Sequence, residues 1–309
     1  MTNSRYNLST LKQIAHPKGF RGVLQHFGLA CNQEIHRRFV DPNGSDFTDE
    51  DWDTMLILDG CRHDLFMEEC ELDGQIETRR SHASYSGGFI AKNFIGRTLH
   101  DTVYITANVY AENIPDNTFH YVDNLLDTTW NDKLGTVHPG DVADATRDAL
   151  ERFPNKRVIA HFMQPHYPFI GNRALDLDLD TGEIDRTGFG QTIWQMLQYG
   201  LTELNENEVW DLYAENLRVA LDSVAGLLEE PTGKTVITAD HGNLVGDRLW
   251  PVPVRGYGHP PNVYVDELLT VPWMVVDGER RTIQTEPPID SERLPENKIE
   301  ERLRALGYR

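Results

Sequence analysis

The 309-residue chain predicts an α/β fold, a three-layer αβα sandwich with a mostly parallel central sheet. Short apolar, β-branched runs recur along it, and each is followed by a polar loop and an amphipathic segment. Several runs are apolar at consecutive positions, as strands buried on both faces are. Strands alternating with helices imply a parallel sheet covered on both sides.

Taken in order, residues 1–50 read as an N-terminal helical extension, ended by Pro42-Asn-Gly-Ser45, and residues 51–309 as one α/β domain. The strand candidates are Thr54–Leu58, Val103–Thr106, Val158–Ala160, Thr235–Thr238 and Val271–Val276. Helix candidates are Asp141–Arg152, the long and clearly periodic Asn207–Glu229, and Asp290–Leu306. Between Gly171 and Gly190 the pattern lapses. Asp176, Asp178, Asp180 and Asp185 stand there among Gly, Asn, Thr and Arg, without the glycine and closing glutamate of a calcium loop. This stretch reads as a solvated surface insertion.

Charge narrows the function. With 29 Lys and Arg against 49 Asp and Glu, the formal net charge is −20, so nucleic acid is excluded as a general partner. An anionic substrate then needs a local cationic centre, for which a bound metal is the obvious candidate. Only seven basic residues are lysine, and an acidic, lysine-poor surface suits a chain adapted to high salt, pointing to a halophilic archaeal source. Cys31, Cys61 and Cys70 lack the spacing of a zinc or redox motif and fit a reducing compartment. The first residues carry no apolar signal core and no integral membrane segment is expected, which makes the cytoplasm the default location.

In a parallel sheet, sites form where loops converge at the carboxyl ends of the strands. Here Thr54–Leu58 is followed by Asp59-Gly-Cys-Arg-His-Asp64. The next such end carries His161-Phe-Met-Gln-Pro-His166-Tyr-Pro168, and a third carries Ala239-Asp-His-Gly242. Gly256-Tyr-Gly-His259 lies in the loop before the last strand. An aspartate after a strand is ordinarily a cap or turn residue, and a lone histidine ordinarily an unliganded one. Three strand ends and one loop all bearing Asp or His favour a metal site.

At these residues the sequence resembles the alkaline phosphatase/sulfatase superfamily. Thr238-Ala-Asp-His-Gly-Asn243 is similar to its Asp-His-Gly element, and Leu58-Asp59 to the strand end with its first metal aspartate. His161-x-x-x-Pro-His166-x-Pro168 resembles a sulfatase-like segment, and Gly258-His259 before Thr270-Val-Pro-Trp-Met-Val275 resembles the late histidine and its strand. The resemblance implies an alkaline phosphatase-like fold in which Asp59, Asp240 and His241 hold one metal together with the nucleophile oxygen. It implies that His166 and His259 hold a second metal or contact the anionic group of the substrate, with His161 a further, substrate-binding candidate. One or two divalent ions are expected, zinc or manganese rather than calcium, which prefers all-oxygen sites.

The family's nucleophile begins a helix tens of residues after the first aspartate. In this chain a helix over Phe89–Leu99 puts Ser86 near its start, where free amides and the helix dipole favour an oxyanion, with Ser84 as second choice. Ser86 acting only as an N-cap is the alternative. No Cys-x-Pro-Ser-Arg or Ser-x-Pro-Ser-Arg motif is present, a departure from true sulfatases that favours phosphoryl chemistry. Arg62 either grips substrate oxygens, as a catalytic residue, or forms a structural ion pair. The expected activity is hydrolysis of a phosphate or sulfate ester, on a small molecule or a glycan, through a covalent seryl intermediate. The alternatives are transfer of a phosphoryl or phosphoalcohol group to a glycan or lipid, and non-catalytic anion binding. The sequence does not fix the oligomeric state.

Overall fold

The computed structural model describes residues 8–177, 192–229, 232–289, 302, 305 and 306. In chain order its elements begin with α1 (Leu8–Phe39), β1 (Thr54–Leu58), α2 (His63–Glu69), β2 (Gln75–Arg80), α3 (Ser86–Asn93) and β3 (Leu99–Thr106). After a 3-10 turn at Val109–Asn113 come β4 (Phe119–Asn124), α4 (Leu125–Thr128), the small hairpin β5 (Trp130–Asn131) and β6 (Thr136–Val137), α5 (Pro139–Arg152) and β7 (Arg157–Phe162). The chain continues through α6 (Asn172–Asp176), α7 (Ile193–Tyr199), α8 (Glu206–Leu228), β8 (Thr235–Thr238), β9 (Leu244–Arg248), β10 (Arg255–Gly258), α9 (Asp266–Leu269) and β11 (Thr270–Val276).

Seven strands form the main sheet in the order β2-β11-β8-β1-β7-β3-β4. The five apolar runs of the sequence are its five inner strands. They pair in parallel except for β11, which runs antiparallel to both β8 and β2. The expected mixed, mostly parallel sheet is therefore observed. Burial explains the apolar runs, since every residue of β1 and β8 is buried. Of the two edge strands, Gln75-Ile-Glu-Thr-Arg-Arg80 is half exposed and Phe119-His-Tyr-Val-Asp-Asn124 is partly buried, and the polar residues in both interrupt any apolar run.

Helices cover both faces. On one, α5 packs on β3 and β7 and against α8, and α2 packs against α8 and β11. Nine buried residues of α8 supply much of that layer, and a capping box between Asn205 and Glu208 starts the helix. On the other, Phe89 of α3 and Phe94 just past its end pack against Phe47, Tyr104 and Phe119. Truncating a fully buried ring such as Phe89 to alanine costs about 3–5 kcal/mol.

The two edges of the sheet differ in kind. At the amino edge the segment after β11 crosses the strand starts as a strap. Gln284 N donates to Asn155 O at 2.8 Å, Glu286 N to His100 O at 3.1 Å and Ile289 N to His120 O at 2.8 Å. Lys156, 2 % exposed, gives its ammonium to Gln284 O at 2.8 Å and pairs with Glu286 at 2.8 Å. The Arg280 guanidinium pairs with Asp51 and Asp53, both at 2.8 Å. The carboxyl edge is left for the site.

Within the N-terminal extension, the helix spans Leu8–Phe39 and Val40–Asp53 is irregular. Its second half clasps the segment leading to His259. Asn32 exchanges two hydrogen bonds with the Val252 backbone, at 2.8 and 2.9 Å. His36 binds Trp250 O at 2.7 Å and accepts from Tyr264 N at 2.8 Å. The segment read as a loop before the last strand contains β10, which forms a hairpin with β9. Most of the acidic stretch, including Asp178, Asp180 and Asp185, lies outside the described residues, as does nearly all of the helix expected at Asp290–Leu306.

Candidate active site

The carboxyl ends of the adjacent strands β7, β1 and β8 bring His161, Asp59, Asp240 and His241 together, all fully buried. The turn after β1 needs Gly60, whose φ is +66°, and Gly60 N donates to Asp240 Oδ1 at 2.9 Å. His241 N donates to the same oxygen at 2.9 Å. The turn after β8 needs Gly242, because a Cβ there would lie 2.1 Å from Glu267 O.

Ser86 is the first residue of α3, following the N-cap Tyr85, and the helix ends at Asn93, short of the expected Leu99. Its hydroxyl donates to Asp59 Oδ2 at 3.1 Å and lies 3.2 Å from His241 Nε2. Asn108, just past β3, donates to that same Asp59 oxygen at 2.6 Å. Ser84 faces elsewhere and donates to Pro260 O at 2.9 Å.

Three atoms of this cluster stand out. Asp59 Oδ1, Asp240 Oδ2 and His161 Nε2 are buried without a hydrogen-bond partner. Such orphaned polar atoms carry a large desolvation cost and call for an explanation. Ligand atoms of Asp59, Asp240 and His241 lie within 4.8 Å of one another. His241 Nε2 is 3.4 Å from Asp240 Oδ2 and 3.7 Å from Asp59 Oδ1, spacings too long for hydrogen bonds. Donors arranged tetrahedrally around an ion at bonds of about 2.0–2.1 Å stand roughly 3.3–3.4 Å apart. The residues fit a divalent cation.

Electrostatics point the same way. Burial and the neighbouring Asp240 charge push the Asp59 carboxyl well above its usual range. Burial works against the Asp240 carboxylate as well, and its carboxyl is held low only where positive charge on the His241 and His161 rings, with the Gly60 amide, offsets that burial. Two buried carboxylates side by side do not both stay charged without a positive partner. A cation meets that need.

Beside this cluster lie two more imidazoles. The His259 ring is 4.8 Å from the His241 ring and 4.9 Å from that of His166. His241 Nδ1 donates to Gly242 O at 2.7 Å, and His166 Nδ1 donates to Tyr167 O. A carbonyl only accepts, so both rings carry their lone pair on Nε2, as metal-binding histidines with an oriented ring do. His259 Nδ1 lies 3.1 Å from Asn243 Oδ1. Burial, then the His241 ring, pushes the His166 imidazole down to about 4 and His259 well below its usual value, leaving both neutral near pH 7.

Arg62 turns away from the cluster. Its guanidinium binds both oxygens of Asp64 at 2.8 and 2.6 Å, Asp247 at 2.9 Å and Asn243 O at 3.1 Å, and lies over Trp210. It ties the loop after β1 to the one that carries Asn243. Gln164 likewise points away, donating to Val137 O at 3.2 Å. Sequence reasoning missed Asn108, although it follows β3 at the same sheet edge, because a neutral amide is not a typical ligand. It also missed Asn216 of α8, which donates to Pro165 O and His166 O at 3.0 Å and accepts from Ile170 N at 2.9 Å. No local pattern marks a residue that holds the His166 turn from a helix 50 positions away.

The molecule is thus an α/β protein whose carboxyl sheet edge carries a buried carboxylate–histidine centre suited to a cation. No family model matches the sequence, and no curated protein does. Solved structures with a similar course include the C-terminal periplasmic domain of EptC from Escherichia coli, in complex with Zn, at 14 % identity and TM-score 0.46, covering 77 % of this chain and 76 % of that one. The soluble domain of lipooligosaccharide phosphoethanolamine transferase A from Neisseria meningitidis is similar at 10 % identity and TM-score 0.45, covering 72 % and 75 %. A third, from Vibrio parahaemolyticus, is described as a protein in the alkaline phosphatase superfamily, the family whose motifs this sequence resembles. It is similar at 11 % identity and TM-score 0.40, covering 81 % and 69 %.

Proposed function

We propose that the protein is a metal-dependent hydrolase of phosphate esters, acting through a covalent intermediate on Ser86. The observation that carries this reading is the place of the Ser86 hydroxyl. It lies 3.1 Å from Asp59 and 3.2 Å from His241, within the carboxylate–histidine cluster and at the start of a helix. A dication held by Asp59, Asp240 and His241 supplies Lewis-acid stabilisation of the serine oxyanion and of charge on the transferred group. The histidine nitrogen among these donors suits zinc or manganese better than calcium.

The chain's own residues do the rest. Asp59 Oδ2 receives the Ser86 proton along the existing hydrogen bond. The Ser86 oxygen forms its bond to phosphorus while the bond to the leaving oxygen breaks on the opposite side, and that oxygen takes a proton from solvent. His166 and His259, neutral and with their Nδ1 protons given to Tyr167 O and Asn243 Oδ1, leave Nε2 lone pairs that would hold a second ion, which would supply positive charge for the remaining anionic oxygens. Arg62, with its guanidinium spent on Asp64, Asp247 and Asn243, acts by positioning the loop that holds His259. Water then attacks the seryl ester and regenerates Ser86. An alcohol acceptor in place of water makes the same chemistry a transfer. The three free cysteines fit a reducing compartment.

The test measures metal content of the wild type and Asp240→Ala together with turnover of nitrophenyl phosphate, bis-nitrophenyl phosphate and nitrophenyl sulfate. The expected result is near-stoichiometric zinc or manganese in the wild type, lost with activity in the variant and on chelation. Phosphate released without an added alcohol marks a hydrolase, and release only when an alcohol is present marks a transferase. A wild type that takes up no metal overturns the proposal.

A further inference from the structure

We infer that His161 is a ligand of the same cation as Asp59, Asp240 and His241, and that the Tyr104 hydroxyl is the positioning group that aims its ring. The inference rests on the reading of the cluster as a metal centre. It replaces the substrate-binding role that the sequence suggested for His161.

Its burial argues against substrate contact. His161 is part of the inner strand β7 and has no exposed surface, whereas His259 is only part-buried at the rim of the cluster. The Phe89 ring lies edge-on, 6.5 Å from the imidazole centre. Within the cluster, His161 mirrors His241. Its Nε2 is 3.7 Å from Asp240 Oδ2 and 3.9 Å from Asp59 Oδ2, close to the 3.4 and 3.7 Å that separate His241 Nε2 from the same two carboxylates.

An alternative is an imidazolium that serves as counter-ion. A charged N–H facing a carboxylate closes to about 2.7–2.9 Å. The spacing of 3.7–3.9 Å shows no such closure, and Nε2 is left with no hydrogen-bond partner. A lone pair facing Asp59 Oδ2 and the orphaned Asp240 Oδ2 is an arrangement that a cation between them reconciles.

Tyr104 supplies the other half of the argument. Its hydroxyl lies 2.8 Å from His161 Nδ1, and Thr106 Oγ1 lies 3.2 Å from it. The ring is wedged between Phe94 and Phe119, at 5.3 and 5.1 Å, so the hydroxyl has little freedom to move. The tautomer that fits a cation gives the Nδ1 proton to that oxygen, which places the lone pair of His161 on Nε2, facing the carboxylates. Thr106 also accepts from Asn108 N at 3.0 Å, and Asn108 binds Asp59. One chain of hydrogen bonds therefore links the His161 ring to Asp59 behind the cation site.

The experiment uses the 309-residue chain loaded with cobalt(II). It reads affinity by competition with a chromophoric chelator, and coordination from the visible spectrum, in the wild type, Asp240→Ala, His161→Ala and Tyr104→Phe. Loss of a ligand in His161→Ala is expected to weaken binding by about a hundredfold or more and to change the cobalt spectrum. Tyr104→Phe, which keeps the packing, is expected to weaken it by about 10–100-fold, as loss of an outer partner does. Wild-type affinity and spectrum in His161→Ala, with only turnover reduced, overturn the inference and restore the substrate role. If His161→Ala does not fold, Tyr104→Phe decides, and unchanged affinity there overturns the inference. A wild type that binds no cobalt removes the metal centre itself, whereas binding lost only in Asp240→Ala sinks the role of His161 alone.

Discussion

Ser86 meets the cluster through a single side-chain oxygen, so removing that oxygen separates chemistry from metal binding. Ser86→Ala is expected to lower turnover by at least about a thousandfold, the scale on which loss of an acting nucleophile is felt. Asp59, Asp240 and His241 are left in place, so metal content is expected to stay near the wild-type value. Metal analysis and a single-turnover assay check this, and residual turnover near wild type would shift the nucleophile to Ser84 or to water. The same scale shows what a single position can tell a reader of sequence. Asp59, Asp240 and His241 stand directly after apolar strands, where the chemistry of a parallel sheet belongs, and they were legible for that reason. Ser84 and Arg62 were equally visible, but only geometry reveals the carbonyl and carboxylates that engage them. Asn108, Tyr104 and Asn216 carry no charge and sit in ordinary surroundings, so nothing short of the fold brings them to notice.

The strap beneath the amino edge matters most at the scale of elements. The hydrogen bond from Arg280, then that from Lys234, draws the Asp51 carboxyl from 3.8 down to about 2. A depressed carboxylate contributes stability that is fully present above its unfolded value near 3.8 and disappears as pH falls through about 2. The strap is therefore expected to loosen across that window, and Arg280→Gln to bring the Asp51 midpoint back towards its ordinary value. Carboxyl NMR titration measures the midpoint, and amide exchange at Gln284 and Glu286 reports the loosening. An unshifted midpoint in the variant would deny Arg280 its part. The exposure of these side chains keeps the energy of the pair small. Periodicity found α5 and α8 to within two residues, because each has one wet face. It found neither β2 nor β4, because an edge strand carries polar residues that blunt pairing with other chains. The helix at Ser86 ends early, at Asn93, because the turn Phe94-Ile-Gly96, with Gly96 at a φ of +81°, redirects the chain towards β3.

For the whole molecule the ruling quantity is charge. A net of −20 on 309 residues makes self-repulsion a global term, and the screening length shrinks from about 10 Å at 0.1 M salt to about 3 Å at 1 M. The urea midpoint is expected to rise as potassium chloride goes from 0.1 to 2 M, and a flat or falling midpoint would count against adaptation to salt. The central strand has a different consequence, in time rather than energy. Thr54 of β1 pairs with Val158 and Thr235, which lie 104 and 181 positions later in the chain. At synthesis rates of about 5–20 residues per second, Thr54-Met-Leu-Ile-Leu58 leaves the ribosome roughly 5–20 s before its first partner and roughly 10–35 s before its second. Through that interval a strand buried along its whole length in the folded protein has no neighbour to pair with. The yield of folded protein in a foreign host is then governed by how well that strand is shielded during translation.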